Sequence, residues 1–232
     1  IYWYGFIIAM GFLLAVTYAM RRCEKFGIEK DNLIDMLIIV TPAAIIGARL
    51  YYVVFNFDAF RGDFWSIFKI WEGGIAIYGA VIFGVLAAFI YCRIAKVSVG
   101  DMFDLAVLGL LIGQFIGRWG NFVNGEAFGQ VVENLPWGMT VENWQNSTYG
   151  EMVHPIFLYE SLWNLVGFII LHFVSKKRRF RGEIFLLYVA WYGIGRGIIE
   201  GVRGADALKL FGTQLNVSEV FGYLSAIVAI GI

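Results

Sequence analysis

The amino-acid sequence predicts an all-α, polytopic integral membrane protein with about seven transmembrane helices. Hydrophobic residues make up 59% of the 232 residues and charged residues only 16%, whereas about one quarter of a soluble domain is charged. Apolar runs of roughly 17–25 residues, long enough to cross a bilayer as a helix, recur along the whole chain. Each run is expected to be a helix, because peptide groups in lipid must bond internally and the runs are too long for barrel strands.

The predicted spans follow one another closely, so we expect a single transmembrane domain over residues 1–232. The fourth and seventh spans are the shortest. One connection, around residues 120–153, is long and holds several aromatic and acidic residues, which either anchor it in the headgroups or cover a site. The seven spans are 1–20, 33–55, 73–92, 101–117, 154–174, 183–200 and 215–232.

Lysine and arginine in the connections predict the orientation, because positive charge favours the cytoplasmic side. The first, third and fifth connections hold most of the 18 basic residues. The N-terminus and the 120–153 connection are therefore expected outside the cell, and the C-terminus in the cytoplasm. We interpret the basic run 176–181 as a topology anchor at anionic lipid, not as a nucleic-acid-binding segment. Cys23 and Cys92 are expected to be unpaired thiols on the reducing side.

Polar side chains inside the spans fall at one predicted depth, in the outer third of the bilayer, when residues are counted at about 1.5 Å each. Charged groups in a span normally face a bundle interior or a wet cavity. Guanidinium groups bind phosphate oxygens through paired, charge-assisted bonds, so the layer suits a phosphate. Taken singly, Arg49 or Arg118 could instead reach the headgroups, and Arg196 could form a structural pair with Glu200. The layer consists of Tyr4, Arg49, Tyr78, Arg118, Arg196 and Glu200.

The stretch GRWGNFVNGEAFG, residues 117–129, follows the fourth span. Its glycines are expected to let the backbone turn and approach a ligand, while Asn121 and Asn124 satisfy peptide groups where the helix ends. Glycines also mark helix-packing surfaces, which is our interpretation of EGGIAIYGA, residues 72–80. His154 is interpreted as a capping or interface residue, and His172 receives no role.

These residues resemble the bacterial prolipoprotein diacylglyceryl transferase family. The stretch 117–129 is similar to the family signature, and five further motifs match in order along nearly the whole chain. They are YWYGF (2–6), GARLYYVVFN (47–56), WEGGIAIYG (71–79), HPIFLYES (154–161) and YGIGRGIIEGVR (192–203).

The resemblance implies transfer of the diacylglyceryl group of phosphatidylglycerol to a lipobox cysteine in the signal peptides of prolipoproteins. A thioether forms and glycerol phosphate leaves, at the extracytoplasmic face of the bacterial plasma (inner) membrane. No metal or cofactor is implied, and the partners are the lipid bilayer and the two substrates. The implied catalytic residues are Arg196, Glu200 and Tyr78. The implied phosphatidylglycerol-binding residues are Arg118, Arg49, Asn121, Glu126, Gly129 and Tyr4.

The chain departs from the family at Tyr78, where many members carry a histidine that is a candidate proton acceptor. A tyrosine hydroxyl, with an ordinary pKa of about 10, is a poor base at neutral pH. Three explanations stay open: the arginines ionise the thiol unaided, the base lies elsewhere, or Tyr78 acts only by hydrogen bonding.

Two other functions are alternatives to this transfer reaction. A transporter or channel for an anionic solute would usually show related halves and binding groups near the midplane. The sequence has no evident repeat, and its charged residues are predicted in the outer third of the bilayer. An intramembrane protease would need a serine–histidine or aspartate pair within the spans, and the sequence offers no convincing pair.

Overall fold

The computed structural model describes residues 3–141 and 150–203, and these are predominantly helical. The described helices are α1 Trp3–Arg22, α2 Lys30–Phe55, α3 Ile77–Ile94, α4 Val99–Asn124, α5 Ile156–Val174 and α6 Glu183–Glu200. In the connection between α4 and α5, the two-residue strands β1 Met139–Thr140 and β2 Met152–Val153 pair antiparallel, with Met139 opposite Val153.

Five helical segments of the described chain are long and apolar enough to cross a membrane, as the sequence predicts. The sixth helix, α6, has 18 residues but carries Glu183, Arg196 and Glu200. The predicted seventh span, 215–232, lies outside the described residues. Five of the seven expected spans are therefore found among the described residues. The five segments are Trp3–Phe26, Lys30–Phe55, Ile77–Ile94, Val99–Asn124 and Ile156–Lys177.

The fourth helix is longer than predicted, and the prediction that it ends near residue 117 was wrong. It continues to Asn124, so Gly117 and Gly120 lie inside the helix. A Cβ at Gly120 would lie 2.9 Å from Cδ2 of the Tyr4 ring on α1. Close approach of α1 to α4 therefore explains this glycine, and the backbone first turns at Gly125, with a φ of +61°.

The chain divides into two compact units. Among the described residues, unit 1 contains 3–22, 103–141 and 150–203, and unit 2 contains 23–102. In unit 2, α2 and α3 approach so closely that a Cβ at Gly79 would lie 2.2 Å from the carbonyl oxygen of Gly47. This confirms helix packing as the role of Gly79. The thiol of Cys92 is free among the described residues, as predicted, and both Cys23 and Cys92 are fully buried.

One end of unit 1 gathers helix termini that adjoin basic connections. Nη2 of Arg22, the last residue of α1, donates to Oγ of Ser175, just after α5, at 3.0 Å. The hydroxyl of Tyr18 lies 2.7 Å from Nδ1 of His172, which gives His172 a structural contact. The ends that the charge pattern assigned to one side of the membrane therefore lie together in this unit.

Asp104, near the start of α4, holds the start of α6 at this same end. Its fully buried carboxylate accepts hydrogen bonds from the backbone N–H groups of Gly182 and Phe185, each at 2.9 Å. It also pairs with Nη1 of Arg178 at 3.1 Å. A carboxylate at a helix N-terminus satisfies otherwise unpaired N–H donors and interacts favourably with the helix dipole. Arg178 thus has a structural role in addition to any contact with lipid.

Asp104→Asn is expected to lower the free energy of unfolding by about 2–3 kcal/mol, because charge-assisted hydrogen bonds to a buried group are lost. The measurement is the Tm of the purified protein in detergent. Asp58→Asn is the matched control, since Asp58 pairs with Arg61 on the surface with 85% of its side chain exposed. Equal Tm values for the two variants would contradict the role assigned to Asp104.

Candidate functional site

The opposite end of unit 1 contains a cluster of charges centred on Glu160. This glutamate is in the second turn of α5 and is 7% exposed. Nη1 of Arg118, on α4, lies 2.7 Å from its Oε2, and Nη1 of Arg196, on α6, donates to its Oε1 at 3.1 Å. Two guanidinium groups from separate helices therefore meet on one buried carboxylate.

A second carboxylate extends the cluster along α6. Oε2 of Glu200 lies 3.0 Å from Nη2 of Arg196, one helical turn earlier, and 3.8 Å from Nη1 of Arg203. Glu200 is only 3% exposed, while the arginine side chains are 20–25% exposed. The pairing of Arg196 with Glu200, one of the two interpretations of these residues from the sequence, is present, and the pair belongs to a larger network.

A cleft runs along this network between α5 and α6. Its volume is about 20 Å³, which is the space of roughly one water molecule. Half of its lining residues carry charged or amide side chains, including two arginines, so it suits a polar or anionic ligand. The lining residues are Arg118, Glu160, Trp163, Asn164, Tyr192, Gly195, Arg196 and Ile199.

Paired tryptophans fix α5 against α6 beside the cleft. Trp163 and Trp191 stack with ring centroids 4.4 Å apart, and each indole N–H donates to the backbone carbonyl of the other residue at 3.1 Å. The rings fit because the facing positions are glycine: a Cβ at Gly195 would lie 2.1 Å from Nε1 of Trp163, and one at Gly167 2.3 Å from Nε1 of Trp191. Because this tryptophan clamp joins the two helices that carry Glu160 and Arg196, we expect it to set the distance between these two residues.

The asparagines of the 117–129 stretch bind a carboxylate. Nδ2 of Asn121 donates to Oε1 of Glu126 at 3.1 Å, and Nδ2 of Asn124 donates to the same oxygen at 3.2 Å. The sequence predicts that both side chains satisfy peptide groups where the helix ends. The structure shows both holding Glu126 at the turn that follows α4.

Gly129 lies where three segments of unit 1 meet. Its N–H donates to the carbonyl of His154 at 2.9 Å, and the N–H of Gln130 donates to the carbonyl of Val202 at 3.0 Å. A Cβ at Gly129 would lie 2.6 Å from the Val202 oxygen and 2.7 Å from Cβ of His154. Only glycine allows this approach, which joins the long connection to the end of α6.

His154 takes part in a structural hydrogen-bond group, as its interpretation as an interface residue predicts. Its Nδ1 lies 3.1 Å from the hydroxyl of Tyr159, and that hydroxyl also accepts from Nε1 of Trp137 at 2.9 Å. Tyr159 directly precedes Glu160, so Trp137 ties the long connection to the first turns of α5. Trp144 and Tyr149, further aromatic residues of this connection, lie outside the described residues.

Arg49, in unit 2, makes contacts that the amino-acid sequence did not predict. Its guanidinium donates four hydrogen bonds of 2.6–2.7 Å, and every acceptor is a backbone carbonyl. Two of these carbonyls belong to Gly73 and Gly74, whose φ angles of +88° and +72° favour glycine. The four acceptors are the carbonyl oxygens of Ser66, Ile67, Gly73 and Gly74.

These bonds give Gly73 and Gly74 a role other than the expected helix packing, since both precede α3 and offer their carbonyls to Arg49.

Tyr78, in the first turn of α3, is 61% exposed, and its ring lies 6.3 Å from that of Tyr51. Among the predicted residues, Tyr4, Arg118, Arg196 and Glu200 therefore share one end of unit 1. Arg49 and Tyr78 are part of unit 2.

Glu160 is the residue of the cluster that the sequence-based reasoning missed. The available signal was a single acid within the apolar run of α5, five residues after Pro155 in HPIFLYES. Counted from the helix ends like the other residues, it falls at the level of the predicted polar layer.

Comparison with known proteins gives similarity over the whole length. The family model described as prolipoprotein diacylglyceryl transferase matches residues 1–232. Three proteins named phosphatidylglycerol–prolipoprotein diacylglyceryl transferase are each similar over 99% of this chain. That of Oceanobacillus iheyensis is 43% identical over 82% of its own length, that of Listeria monocytogenes serotype 4a 44% over 83%, and that of Clostridioides difficile 40% over 89%.

Proposed function

Because the chain belongs to the prolipoprotein diacylglyceryl transferase family, we propose that the arginine cluster of unit 1 is its catalytic site. This cluster consists of Arg118 and Arg196 around Glu160. The enzyme transfers the diacylglyceryl group of phosphatidylglycerol to a prolipoprotein, at the lipobox cysteine of the signal peptide. The observation that supports this site is the convergence of Arg118 and Arg196, from different helices, on the single carboxylate of Glu160.

The reaction explains why arginines are needed. The cysteine sulfur bonds to the glyceryl carbon that carries the phosphate, and the carbon–oxygen bond breaks as glycerol phosphate leaves with the electron pair. The thiol proton is released, because the nucleophile is the thiolate. Positive donors placed where negative charge develops on the leaving phosphate stabilise the transition state, and they act most strongly where water is excluded. Arg118 and Arg196 are assigned this role.

The remaining site residues are assigned supporting roles. Glu200 orients Arg196, since the two side chains pair one turn apart. Asn121 and Glu126 shape the turn after α4, Tyr4 packs against Gly120 within α4, and Gly129 allows close approach of the long connection to the end of α6. For Arg49, whose guanidinium is engaged by four carbonyls, we propose support of the segment before α3 instead of direct contact with phosphate.

We further propose that the arginine cluster faces the extracytoplasmic side of the bacterial plasma membrane. The opposite end of unit 1 adjoins the basic connections after α1 and α5, and positive charge favours the cytoplasm. The connection around residues 120–153 then lies outside, where the translocated signal peptide of a prolipoprotein is presented.

The function is tested by reconstituting the protein in vesicles that contain phosphatidylglycerol and adding a lipobox peptide. Mass spectrometry is expected to find the diacylglyceryl thioether, with an equal amount of glycerol phosphate released. Vesicles of phosphatidylcholine alone, and a peptide whose cysteine is replaced by serine, are the controls. If thioether is absent when both substrates are present, the transferase assignment is wrong.

Tyr78→Phe tests the departure from the family histidine. If Tyr78 acts by hydrogen bonding alone, loss of its hydroxyl is expected to lower the rate about fivefold, the equivalent of one hydrogen bond of about 1 kcal/mol. The dependence of the rate on pH is expected to be unchanged. Tyr51→Phe, on the neighbouring ring, is the control. A shifted pH profile in Tyr78→Phe alone would show that the hydroxyl takes part in proton transfer.

A further inference from the structure

The Glu160 carboxylate occupies the position that best suits a substrate phosphate. Each of its oxygens contacts a different guanidinium group, Arg118 at 2.7 Å and Arg196 at 3.1 Å. Two oxygens of a phosphate group present the same pair of acceptors to arginines. The cleft beside them has a volume of about 20 Å³, too small for a phosphate group to enter while Glu160 stays in place.

Charge around the cleft favours an exchange of one anion for another. In the absence of ligand, the positive charges of Arg118, Arg196 and Arg203 face the negative charges of Glu160 and Glu200. Glu200 stays bound to Arg196 and Arg203 along α6, whereas Glu160 is the carboxylate that connects α4, α5 and α6. Adding a phosphate while both carboxylates keep their places would put like charges together in a poorly solvated site, which costs several kcal/mol.

We propose, building on the function assigned above, that Glu160 is a positioning residue. Its carboxylate occupies the phosphate site in the free protein and keeps that site ready for substrate. In the free protein its carboxylate keeps both guanidinium groups in one place and compensates their charge. When phosphatidylglycerol binds, the phosphate takes over the contacts with Arg118 and Arg196, and the Glu160 side chain moves aside. Departure of glycerol phosphate lets Glu160 return, so the residue also promotes product release.

This role predicts that a neutral side chain at position 160 strengthens phosphate binding. In Glu160→Gln, the KM for phosphatidylglycerol in mixed micelles is expected to fall about tenfold, equivalent to 1.4 kcal/mol. The dissociation constant of glycerol phosphate, measured by calorimetry, is expected to fall by the same factor. The value of kcat is expected to decrease, because product leaves more slowly. A residue that served the fold alone would raise KM when replaced.

Two further variants complete the test. Glu24→Gln removes a surface carboxylate that pairs with Lys30, and it is expected to leave KM and the glycerol phosphate affinity unchanged. Glu160→Asp keeps the charge on a shorter side chain that releases one of the two arginines, so a smaller fall in KM, about threefold, is expected. This variant decides the question if Glu160→Gln does not fold.

Calorimetry with glycerol phosphate needs no turnover, so this proposal and the proposed function can fail separately. Wild-type protein that forms no thioether contradicts the function. If the wild-type protein is active but the KM of Glu160→Gln is unchanged or raised, displacement of Glu160 by the phosphate is contradicted. The same result in Glu160→Asp has this meaning where only that variant folds.

Discussion

Arg118→Lys is expected to lower kcat for thioether formation at least 100-fold. Removing a single donor that stabilises developing negative charge typically costs a factor of about 10² to 10³. Lysine keeps the positive charge but offers a compact ammonium on a flexible chain in place of a planar group that can engage two oxygens at once. At position 118 the donor must reach from α4 to the anion held between α5 and α6, where Nη1 now lies 2.7 Å from Glu160.

The measurement is the initial rate of thioether formation in phosphatidylglycerol vesicles, with equal amounts of folded enzyme. Arg61→Lys is the matched control, because Arg61 forms an exposed pair with Asp58 in the connection between α2 and α3. Its rate is expected to stay within twofold of wild type, since exposed pairs contribute little. Near-normal turnover in Arg118→Lys would remove Arg118 from the phosphate role, whatever the other variants do.

The sequence allowed the level of the site to be predicted, because position along a transmembrane helix follows from counting residues. Tyr4, Arg118, Arg196 and Glu200 were placed at one depth, and in unit 1 they do lie at one end. The opposite end, where Arg22 and Arg178 contact neighbouring elements, was predicted from the basic residues of the connections.

Which groups pair with one another could not be predicted in the same way, because pairing depends on how the helices rotate and pack. Glu160 was missed for this reason: an acid in an apolar run has no evident partner until α4 and α6 are placed beside it. Arg49 presents the same difficulty, since its partners are backbone carbonyls, which every residue possesses. The sequence identifies a buried arginine there but not what it binds.

The end of α4 was predicted too early because glycine can have two opposite structural roles in a membrane helix. It can end the helix by adopting positive φ, as at Gly125, or it can let a second helix approach closely, as at Gly120. Composition alone does not separate the two. The ring of Tyr4 against Gly120 decides the matter, and it is a contact between residues more than a hundred positions apart.

Gly195→Ala is expected to reduce turnover about 100-fold without touching any charged group. The added methyl would lie 2.1 Å from Nε1 of Trp163, so the indole must move and lose its hydrogen bond to the carbonyl of Trp191. Forcing atoms into a packed interface usually costs about 1–3 kcal/mol. Here α5 and α6 are pushed apart next to Arg196, and misplacing a catalytic group by about 1 Å can cost a factor of 10².

Gly113→Ala makes the same chemical change within α4 at a position where a Cβ would meet no atom within 4 Å. It is expected to keep full activity and an equal or higher Tm, because alanine favours helix more than glycine does. In Gly195→Ala, the fall in kcat should be accompanied by a lower Tm and a changed fluorescence of the stacked tryptophans. Full activity in Gly195→Ala would mean that the tryptophan clamp does not set the distance between Arg196 and Glu160, and that the ion pair alone positions the arginine.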